Sequence, residues 1–363
     1  MGPEVLHPCL LLLWVWVCAL PAGSVLPPEL SKAEVTRMFR DFMIQFNRTY
    51  RSPAEQHRRF GIFTQSLLAA RRLQETELGT GQYGVTRFSD WTDEEFRGMF
   101  RSSLPPTMHQ APRLPRKKLP PFCDWRKAGA VTAVKYQVGE KCRSCWAFAA
   151  VANIESLWNI HFHQPRNLSV QEVLDCSWCG AGCEGGYVWD AFTTVLQRRG
   201  LTSEDAYPYT GRKGTCRNLN EPAAYIQGFQ TLRGDETEIA AHVATKGPIT
   251  VTLNSAAMKH YKKGISQPLV KSCSPEHVDH VVLLVGYGHG LLPSLSRQER
   301  LRHHHVPCNS HCHPGWGPRT RSPLPHLKGV LLLQRACGLP AKTPATTKTE
   351  ITGASGLPCV MGE

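Results

Sequence analysis

Apolar residues recur at helical spacing in two parts of the chain. In residues 146–157 they fall at steps of three and four, which predicts an amphipathic helix. Residues 29–77 carry many charges and few glycines, with phenylalanines at spacings that a helix allows, so this region is also predicted to be helical. Within it, Ser52, Pro53 and Glu55 are residue types that begin a helix, and a second helix is expected to start there.

Two shorter apolar runs predict β-strands. Residues 248–253 read Pro-Ile-Thr-Val-Thr-Leu, which is rich in β-branched residues. Residues 278–288 form a hydrophobic run that ends in glycines, with His280 near its start. A histidine on an apolar strand is more often a buried structural residue than a catalyst, so its meaning depends on what else the chain carries.

The chain begins with the pattern of a cleaved signal peptide, over residues 1–23. Residues 9–20 are an apolar core too short to span a bilayer comfortably, and the small residues Ala22 and Gly23 follow it. A membrane anchor is the alternative. A secreted chain gives meaning to two glycosylation sequons, at Asn47 and Asn167.

Residues 101–121 differ from their surroundings because they are rich in proline and contain a basic run. This composition predicts an exposed linker that proteases can reach. The basic run is short and lacks interleaved aromatics, which argues against a nucleic-acid patch.

Charge and cysteine content narrow the possible functions. The net charge is +13, but residues 119–288 are nearly neutral, so neither a nucleic acid nor a membrane is expected as a partner of this part. The 14 cysteines, together with the signal peptide, indicate an oxidising compartment. The close cysteines Cys176, Cys179 and Cys183 are therefore expected to form disulfides rather than a zinc knuckle.

Cys145 stands where the helix predicted over 146–157 should begin. The helix dipole and the unpaired amides at that end favour a thiolate. A structural thiol or half of a disulfide is the alternative for a cysteine in this setting. A helix-start cysteine together with His280, however, points to a cysteine nucleophile with a histidine partner.

These residues resemble the papain-like cysteine proteases of the cathepsin family. Three segments carry the peptidase resemblance: Gln137 with 142–146, the glycine-rich run 182–186, and Val278-Asp279-His280 with 286–288. The N-terminal part is similar to cathepsin propeptides. The matching positions are Glu55, Arg59, Phe63, Ala70 and Gln74, with Ser66 in place of Asn, followed by Gly84, Thr86, Phe88 and Asp90.

The resemblance implies an α+β fold with a helical half that carries Cys145 and a β-barrel half that carries His280. It implies an inhibitory propeptide over 24–118, a peptidase domain over 119–288, and a cleft walled by Gly185 and Gly186. The Cys145 thiolate would attack a peptide carbonyl, His280 would protonate the leaving amine, and Gln137 would help to hold the oxyanion. The implied disulfides join Cys142 to Cys183 and Cys176 to Cys216.

The resemblance also implies the partners and the location of the protein. Peptides or proteins would be substrates, the chain's own propeptide and cystatin-type inhibitors would bind the cleft, and no cofactor or metal would be required. The protein would be a monomer in the secretory pathway, in the endoplasmic reticulum lumen, the lysosome or the extracellular space.

The sequence departs from the family pattern in three places. The spacing from Gln137 to Cys145 is two residues longer than in the family motif, and Val281 stands where a small residue is usual. After Gly288 the Asn-Ser-Trp-Gly strand of the family is missing, so the barrel half is expected to be incomplete. A second function therefore stays open, in which the chain is a catalytically impaired isoform that acts only as a binding or inhibitory module.

The last segment, 289–363, has an unusual composition. It contains no Tyr or Phe, one Trp and nine prolines, and it is predicted to be a disordered tail. A cluster of Cys and His residues over 303–313 has no spacing that identifies a metal site. The basic charge of the tail leaves a nucleic-acid function as a remote alternative.

Overall fold

The computed structural model describes residues 30–100, 111–114, 119–120, 122–137, 142–180, 182–219, 221–232, 236–264, 266–269, 278–288 and 328–332. The predicted signal peptide, most of the linker and most of the tail lie outside these ranges. The chain divides into two compact units, residues 1–48 and 49–363.

The first unit contains one helix among its described residues, α1 (Lys32–Gln45). A capping box starts it, because the Ser31 side chain accepts from the Glu34 amide and the Glu34 carboxylate accepts from the Ser31 amide. The rings of Phe42 and Phe46 pack 5.2 Å apart near its C-terminus. The helix ends before Asn47, which is exposed and adopts a positive φ of 49°.

The second unit begins with α2 (Pro53–Glu75), and the predicted start of this helix is confirmed. The Ser52 side chain accepts from the Glu55 amide, and Pro53 occupies the first turn, where its missing N–H costs nothing. A short strand, β1 (Gln82–Tyr83), and a short helix, α3 (Asp93–Arg97), follow.

The charges on α2 that match the propeptide pattern do not form a solvated face. Arg59 lies between Glu55 and Glu95, with nitrogen–oxygen distances of 2.7 Å to each, and it also donates to the carbonyl of Asp90. Gln74 accepts from the Tyr83 amide and donates to the Gly81 carbonyl. These bonds fasten the chain after α2 back onto the helix.

We expect Arg59→Gln to lower the free energy of unfolding of the full-length chain by about 1–3 kcal/mol, because it leaves Glu95 without its charged partner. Arg71→Gln on the same helix is the matched control. Arg71 pairs with the half-exposed Glu75, and such surface pairs contribute about 0.3–0.5 kcal/mol. Urea unfolding of both variants measures the difference, and equal losses would contradict this role of Arg59.

The helical half of the second unit is built around α4 (Cys145–Phe162), which starts at the predicted nucleophile. It packs against α5 (Val170–Cys176), α6 (Val188–Gln197) and the sheet strands, so residues on nearly every face of it are buried. A 3₁₀ turn, η1 (Gly182–Glu184), precedes α6. The core of this half includes Trp146, Ile154, Leu174 and Phe192, all essentially inaccessible to solvent.

The second half contains the remaining strands and α7 (Glu236–Lys246). The strands are β2 (Phe122–Asp124), β3 (Gly228–Leu232), β4 (Ile249–Leu253), β5 (Tyr261–Lys263), β6 (His280–Leu284), β7 (Gly286–Gly288) and β8 (Lys328–Leu332). A second 3₁₀ turn, η2 (Ala256–His260), joins β4 to β5. The two strands predicted from apolar runs are present, although the second run is divided at Val285 into β6 and β7.

The strands form three small sheets. The largest has the order β3-β8-β4-β6, with β4 and β6 antiparallel and His280 opposite Leu253. β2 pairs with β7, and β1 pairs with β5. Among the described strands no closed barrel is formed, which agrees with an incomplete barrel half.

The structure describes five residues of the tail. Residues Lys328–Leu332 form β8, which runs parallel to β3 and β4 and lies between them. Its sequence, Lys-Gly-Val-Leu-Leu, is an apolar run of strand length, a local signal that the composition of the whole tail obscured. The Cys and His cluster of the tail lies outside the described part.

The described residues contain two disulfides with both cysteines assigned, Cys142–Cys183 and Cys176–Cys216. Cys179 is also disulfide-bonded. In the described ranges no helix has the length and apolarity needed to cross a bilayer, and no group of three or more His, Cys, Asp or Glu side chains could hold a metal ion.

Candidate active site

Cys145 is the first residue of α4, and its side chain remains a thiol with only 2% of the residue exposed. Ser144 precedes it as the N-cap but does not cap the helix with its side chain. Its hydroxyl lies 2.6 Å from the Tyr209 hydroxyl instead. The first-turn amides of α4 are therefore not taken by the N-cap side chain, and the positive end of the helix dipole lies at the thiol.

His280 is the first residue of β6, at the edge of the same core. Val281 follows it and is buried in the hydrophobic cluster that contains Cys145, which brings the start of β6 onto α4. Asp279 precedes it, and both oxygens of its carboxylate accept from Ser255, one from the amide and one from the hydroxyl. These contacts fix the backbone on both sides of the histidine.

The His280 ring is covered by an aromatic residue of the N-terminal segment. Its centroid lies 4.0 Å from the Phe100 centroid, with 44° between the two planes. Burial lowers the pKa of His280 to about 3, because the charged imidazolium would lose its hydration. Within the described residues Nδ1 is buried and has no hydrogen-bond partner, so the ring is held neutral without a polar neighbour at that atom.

Three consecutive residues after α3 connect the separate parts of the site. Arg143 Nε donates to the Gly98 carbonyl, Gln137 Nε2 lies 3.4 Å from the Met99 carbonyl, and Phe100 contacts His280. Successive Cα atoms are only about 3.8 Å apart, so residues bound to three neighbouring positions must converge. Gln137 and His280 thus face the same stretch of chain that passes the start of α4.

Gln137 also donates to the Cys142 carbonyl. This contact holds the glutamine amide beside the first turn of α4, although the spacing between Gln137 and Cys145 is longer than the family motif. The intervening residues 138–141 belong to the part that the structure does not describe.

The glycine-rich run lies against the nucleophile segment. The Cys142–Cys183 disulfide and the hydrogen bond from the Arg143 amide to the Cys183 carbonyl, 2.8 Å long, join the two. Gly186 packs on Trp146 so closely that a Cβ would lie 2.4 Å from the indole ring, and only glycine fits there. Arg143 and Glu184 form an ion pair of 3.3 Å across this wall.

The N-terminal segment lies on the peptidase surface through backbone and side-chain bonds. β1 pairs with β5, the Gly84 amide donates to the His260 carbonyl, and the Thr86 hydroxyl donates to the Lys259 carbonyl at 2.6 Å. Glycine and threonine of the predicted Gly84–Asp90 motif are therefore residues that contact η2 directly.

An ion pair connects α3 to the same surface. Lys259 Nζ lies 2.8 Å from Asp93 Oδ1. Burial raises the pKa of Asp93, but the hydrogen bond and charge of Lys259 outweigh it, and the net shift is downward. For His260, burial and the charge of Lys259 lower the pKa to about 4, against the opposing effect of Asp93.

We expect the docking of the N-terminal segment to weaken as the pH falls from about 6.5 toward 4. His280 and His260 are neutral beneath the docked segment, because burial lowers their pKa values. Release exposes both rings, so they can bind protons in the released state. The equilibrium constant for release should therefore rise by up to about tenfold per histidine for each pH unit. Asp93 stays ionised over this range because its pKa is lowered. Protease cleavage near residues 99–100 of a Cys145→Ser chain should therefore accelerate in acid.

His260→Gln should remove a large part of this pH dependence. His57→Gln, at an exposed position of α2, should leave the pH dependence unchanged. A cleavage rate that is independent of pH between 7 and 4 would contradict the account.

Of the residues predicted from the sequence, Gln137 and His280 contact residues 99–100, and the glycine-rich run is joined to the segment before Cys145 by the Cys142–Cys183 disulfide. Sequence reasoning missed four residues that make contacts in this region: Met99, Phe100, Arg143 and Lys259. Two local signals pointed to them. Arg143 lies inside the nucleophile motif, and Phe100 is an apolar residue immediately before the linker.

The remaining predicted site residues are asparagines of the two sequons. Asn47 and Asn167 are both exposed, which permits attachment of a glycan. The Asn167 carbonyl accepts from the Glu204 amide, and the buried Leu168 and Ser169 follow before α5.

Comparison with known families and proteins assigns both parts of the chain. Residues 119–293 match the papain family of cysteine proteases, and residues 39–96 match the cathepsin propeptide inhibitor domain. Cathepsin W of Felis catus is 46% identical over 267 residues, which cover 70% of this chain and 70% of that protein. Cathepsin F of Mus musculus is 40% identical over 72% of this chain and 57% of its own length.

Solved precursors have the same fold. A procathepsin L2 from the larval midgut of Tenebrio molitor superimposes with a TM-score of 0.62 at 32% identity, over 71% of this chain and 86% of that one. A recombinant stem bromelain precursor gives a TM-score of 0.61 at 31% identity, over 70% and 83% of the two chains. In the sequence, the likeness to cathepsin W is carried by residues 123–127, the extra Cys179 and residues 188–192.

Proposed function

Because the chain belongs to the papain family of cysteine proteases, we propose that it is the zymogen of a cysteine endopeptidase that uses Cys145 and His280. The observation that carries the proposal is the passage of residues 98–100 over Arg143, Gln137 and His280. A propeptide segment that contacts all three groups lies where a substrate would lie.

The chemistry assigns one step to each group. In the processed enzyme, the Cys145 thiolate attacks the carbonyl carbon of a peptide bond and forms a C–S bond. The Gln137 side chain and the Cys145 amide donate to the resulting oxyanion, a contribution of about 2.7–4 kcal/mol per donor in comparable sites. His280 gives its proton to the amine, the C–N bond breaks, and water then hydrolyses the thioester.

The N-terminal segment keeps this chemistry inactive in three ways. The Met99 carbonyl accepts from the Gln137 side chain, and the Gly98 carbonyl accepts from Arg143. Phe100 packs on the His280 ring and excludes water from it. A neutral imidazole cannot stabilise a thiolate, so thiolate formation and substrate entry are blocked together. Cleavage in the linker 101–118, followed by release of the segment, would reverse both effects.

The proposal includes where the protein acts and what it meets. A signal peptide over 1–23, glycans on the exposed Asn47 and Asn167, and three disulfide-bonded regions fit the secretory pathway, ending in the lysosome or outside the cell. Protein substrates, the propeptide and cystatin-type inhibitors would compete for the same cleft of a monomer.

A second function is favoured by one specific observation. The sequence lacks the Asn-Ser-Trp-Gly strand, whose asparagine would orient the histidine in the family, and β8 from the tail pairs with β3 and β4. A chain with a poorly oriented His280 would bind peptides without cleaving them and would act as a binding or inhibitory module. The loss of one such hydrogen bond costs about 1–3 kcal/mol.

The two functions are separated by a peptidase assay on the processed chain. The full-length protein is cut in the linker, the N-terminal segment is removed in mild acid, and a fluorogenic peptide mixture is added. If the chain is a zymogen, we expect cleavage of the fluorogenic peptides only after processing, and none by the Cys145→Ala variant. Peptide binding by the processed chain with no cleavage above the Cys145→Ala level would instead establish the binding module.

A further inference from the structure

Lys259 of the peptidase half is a buried lysine whose ion-pair partner, Asp93, belongs to the N-terminal segment that is removed on processing. Lys259 lies in η2, and its side chain is 5% exposed, whereas the side chain of Asp93, its partner, is 69% exposed. The cation of this ion pair is therefore the buried partner and belongs to the peptidase half, whereas the carboxylate is the solvent-exposed partner. The Lys259 carbonyl also receives the Thr86 hydroxyl, so the backbone of η2 is part of the same contact.

This ion pair lies on the path that the propeptide follows into the active site. Asp93 begins α3, and the chain continues through Arg97 to Gly98, Met99 and Phe100 at Arg143, Gln137 and His280. Five helical residues advance about 7.5 Å, and one further residue adds at most about 3.8 Å. An extended peptide advances about 3.3 Å per residue, so about three to four residues of a substrate would span the path from Lys259 to the point where Gly98 contacts Arg143.

The charges near Lys259 favour an anion once the propeptide has left. Asp93 interacts with the Lys259 ammonium on the peptidase side and with Arg97 on its own segment, whereas burial lowers the pKa of the neighbouring His260 to about 4 and keeps that ring neutral. Asp279 is the acidic residue of the peptidase side that also senses Arg97, but both of its oxygens already accept from Ser255. Release of the N-terminal segment thus leaves the Lys259 ammonium without this carboxylate.

We propose that Lys259 forms a subsite that selects a carboxylate on the peptide substrate, and that Asp93 occupies this subsite in the zymogen. The inference rests on the proposed function, because it assigns the specificity of the same cleft. The ligand is an Asp or Glu side chain in an extended peptide. A C-terminal carboxylate has the same chemistry, and the experiment separates the two sources.

Binding to a catalytically inert chain tests the subsite independently of catalysis. The full-length Cys145→Ala protein is processed in the linker and freed of its N-terminal segment. Its affinity is measured by fluorescence anisotropy for decapeptide mixtures in which one position is fixed as Glu or as Gln. Charge-assisted bonds contribute about 1.5–3 kcal/mol, so Glu should be favoured about ten- to hundredfold at one position.

Variants of η2 and β5 identify the group responsible. Lys259→Met should abolish the preference for Glu, and Lys259→Arg should retain it. Lys263→Met, four residues away at an exposed position, is the matched control and should behave as the parent does. Thermal unfolding of each processed variant separates loss of the preference from loss of the fold.

The form of the peptides distinguishes the two carboxylate sources. Amidated peptides with an internal Glu should bind as well as those with a free C-terminus. A preference that appears only with a free C-terminus would assign the subsite to terminal carboxylates and overturn the side-chain proposal. Equal binding of Glu and Gln mixtures at every position, or a preference that survives in Lys259→Met, would overturn the subsite altogether.

The same peptides given to the processed chain with Cys145 intact separate this inference from the proposed function. Selective binding without any cleavage would leave the subsite standing and remove the peptidase. Cleavage without a preference for Glu would keep the peptidase and remove the subsite. If the inert chain bound none of the peptides, both proposals would be contradicted.

Discussion

Replacement of His280 by alanine is expected to lower the peptidase rate of the processed chain by at least about a thousandfold at a pH of about 5.5. A thiol with an ordinary pKa near 8.5 is thiolate in only about one molecule in a thousand at that pH, whereas a histidine-paired thiol of this type is almost fully ionised. The variant also loses the acid that protonates the leaving amine, which adds a further loss.

The control for this prediction is His161→Gln. His161 lies on α4, the helix that begins at Cys145, and its Nδ1 is 2.9 Å from the Leu157 carbonyl. It is exposed near the opposite end of α4 from Cys145, so its replacement should change stability little and leave the peptidase rate within about twofold of the parent. Initial rates of peptide cleavage measure both variants. Similar losses in the two would show that His280 acts through stability rather than chemistry.

Replacement of Lys135 by methionine is expected to lower the free energy of unfolding by about 3–5 kcal/mol, because it leaves a buried charge without its partner. The Glu155 side chain on α4 is fully buried and pairs with Lys135. It also accepts from the Leu168 amide at 2.7 Å and from the Thr132 hydroxyl at 2.6 Å. These bonds hold the segment before Gln137 against the helix that carries Cys145.

A double variant tests whether the loss comes from the buried charge. Lys135→Met combined with Glu155→Gln removes the charge, so the pair should lose less than the sum of the single variants. Lys262→Met, at an exposed position, is the matched control and should change stability by less than about 0.5 kcal/mol. Urea unfolding midpoints with unchanged slopes measure the two single variants, the double variant and the control. Strict additivity would show that the pair is not coupled.

The elements that could be predicted are those with local signals. Ser52 and Pro53 mark the start of α2 because a side-chain oxygen and a missing N–H both suit a helix N-terminus. Cys145 could be placed at the start of α4 because the apolar spacing begins immediately after it. His280 could be placed at the start of a strand for the same reason, since a hydrophobic run follows it.

The contacts that escaped prediction join residues far apart in sequence. Asp93 meets Lys259 because α3 packs on η2, and Phe100 meets His280 because the segment after α3 reaches the start of β6. Nothing in the spacing of either segment specifies which residue of the other it will touch. The pairing of Arg59 escapes prediction for a related reason, because its partner Glu95 lies beyond a turn and a strand.

The overall composition of the tail does not identify the short strand that forms within it. Its prolines and its lack of Tyr and Phe predict disorder for the whole segment, yet the short run over 328–332 pairs with β3 and β4. The average composition of 75 residues does not reveal a strand of five residues. The strands with which this segment pairs are determined by the rest of the sheet and not by its own sequence.

The measurement that tests the central claim most directly is active-site labelling of the processed chain. The full-length protein is secreted, processed at mildly acidic pH and treated with an irreversible epoxysuccinyl probe, and the adduct is located by mass spectrometry. A Cys145→Ser chain and the unprocessed zymogen are run beside it. The account predicts one adduct, on Cys145, that is absent from both controls because one lacks the thiol and the other keeps residues 98–100 over the site. A folded, processed chain whose Cys145 stays unlabelled while a known papain-family enzyme reacts in parallel would contradict the account and leave the binding module as the function.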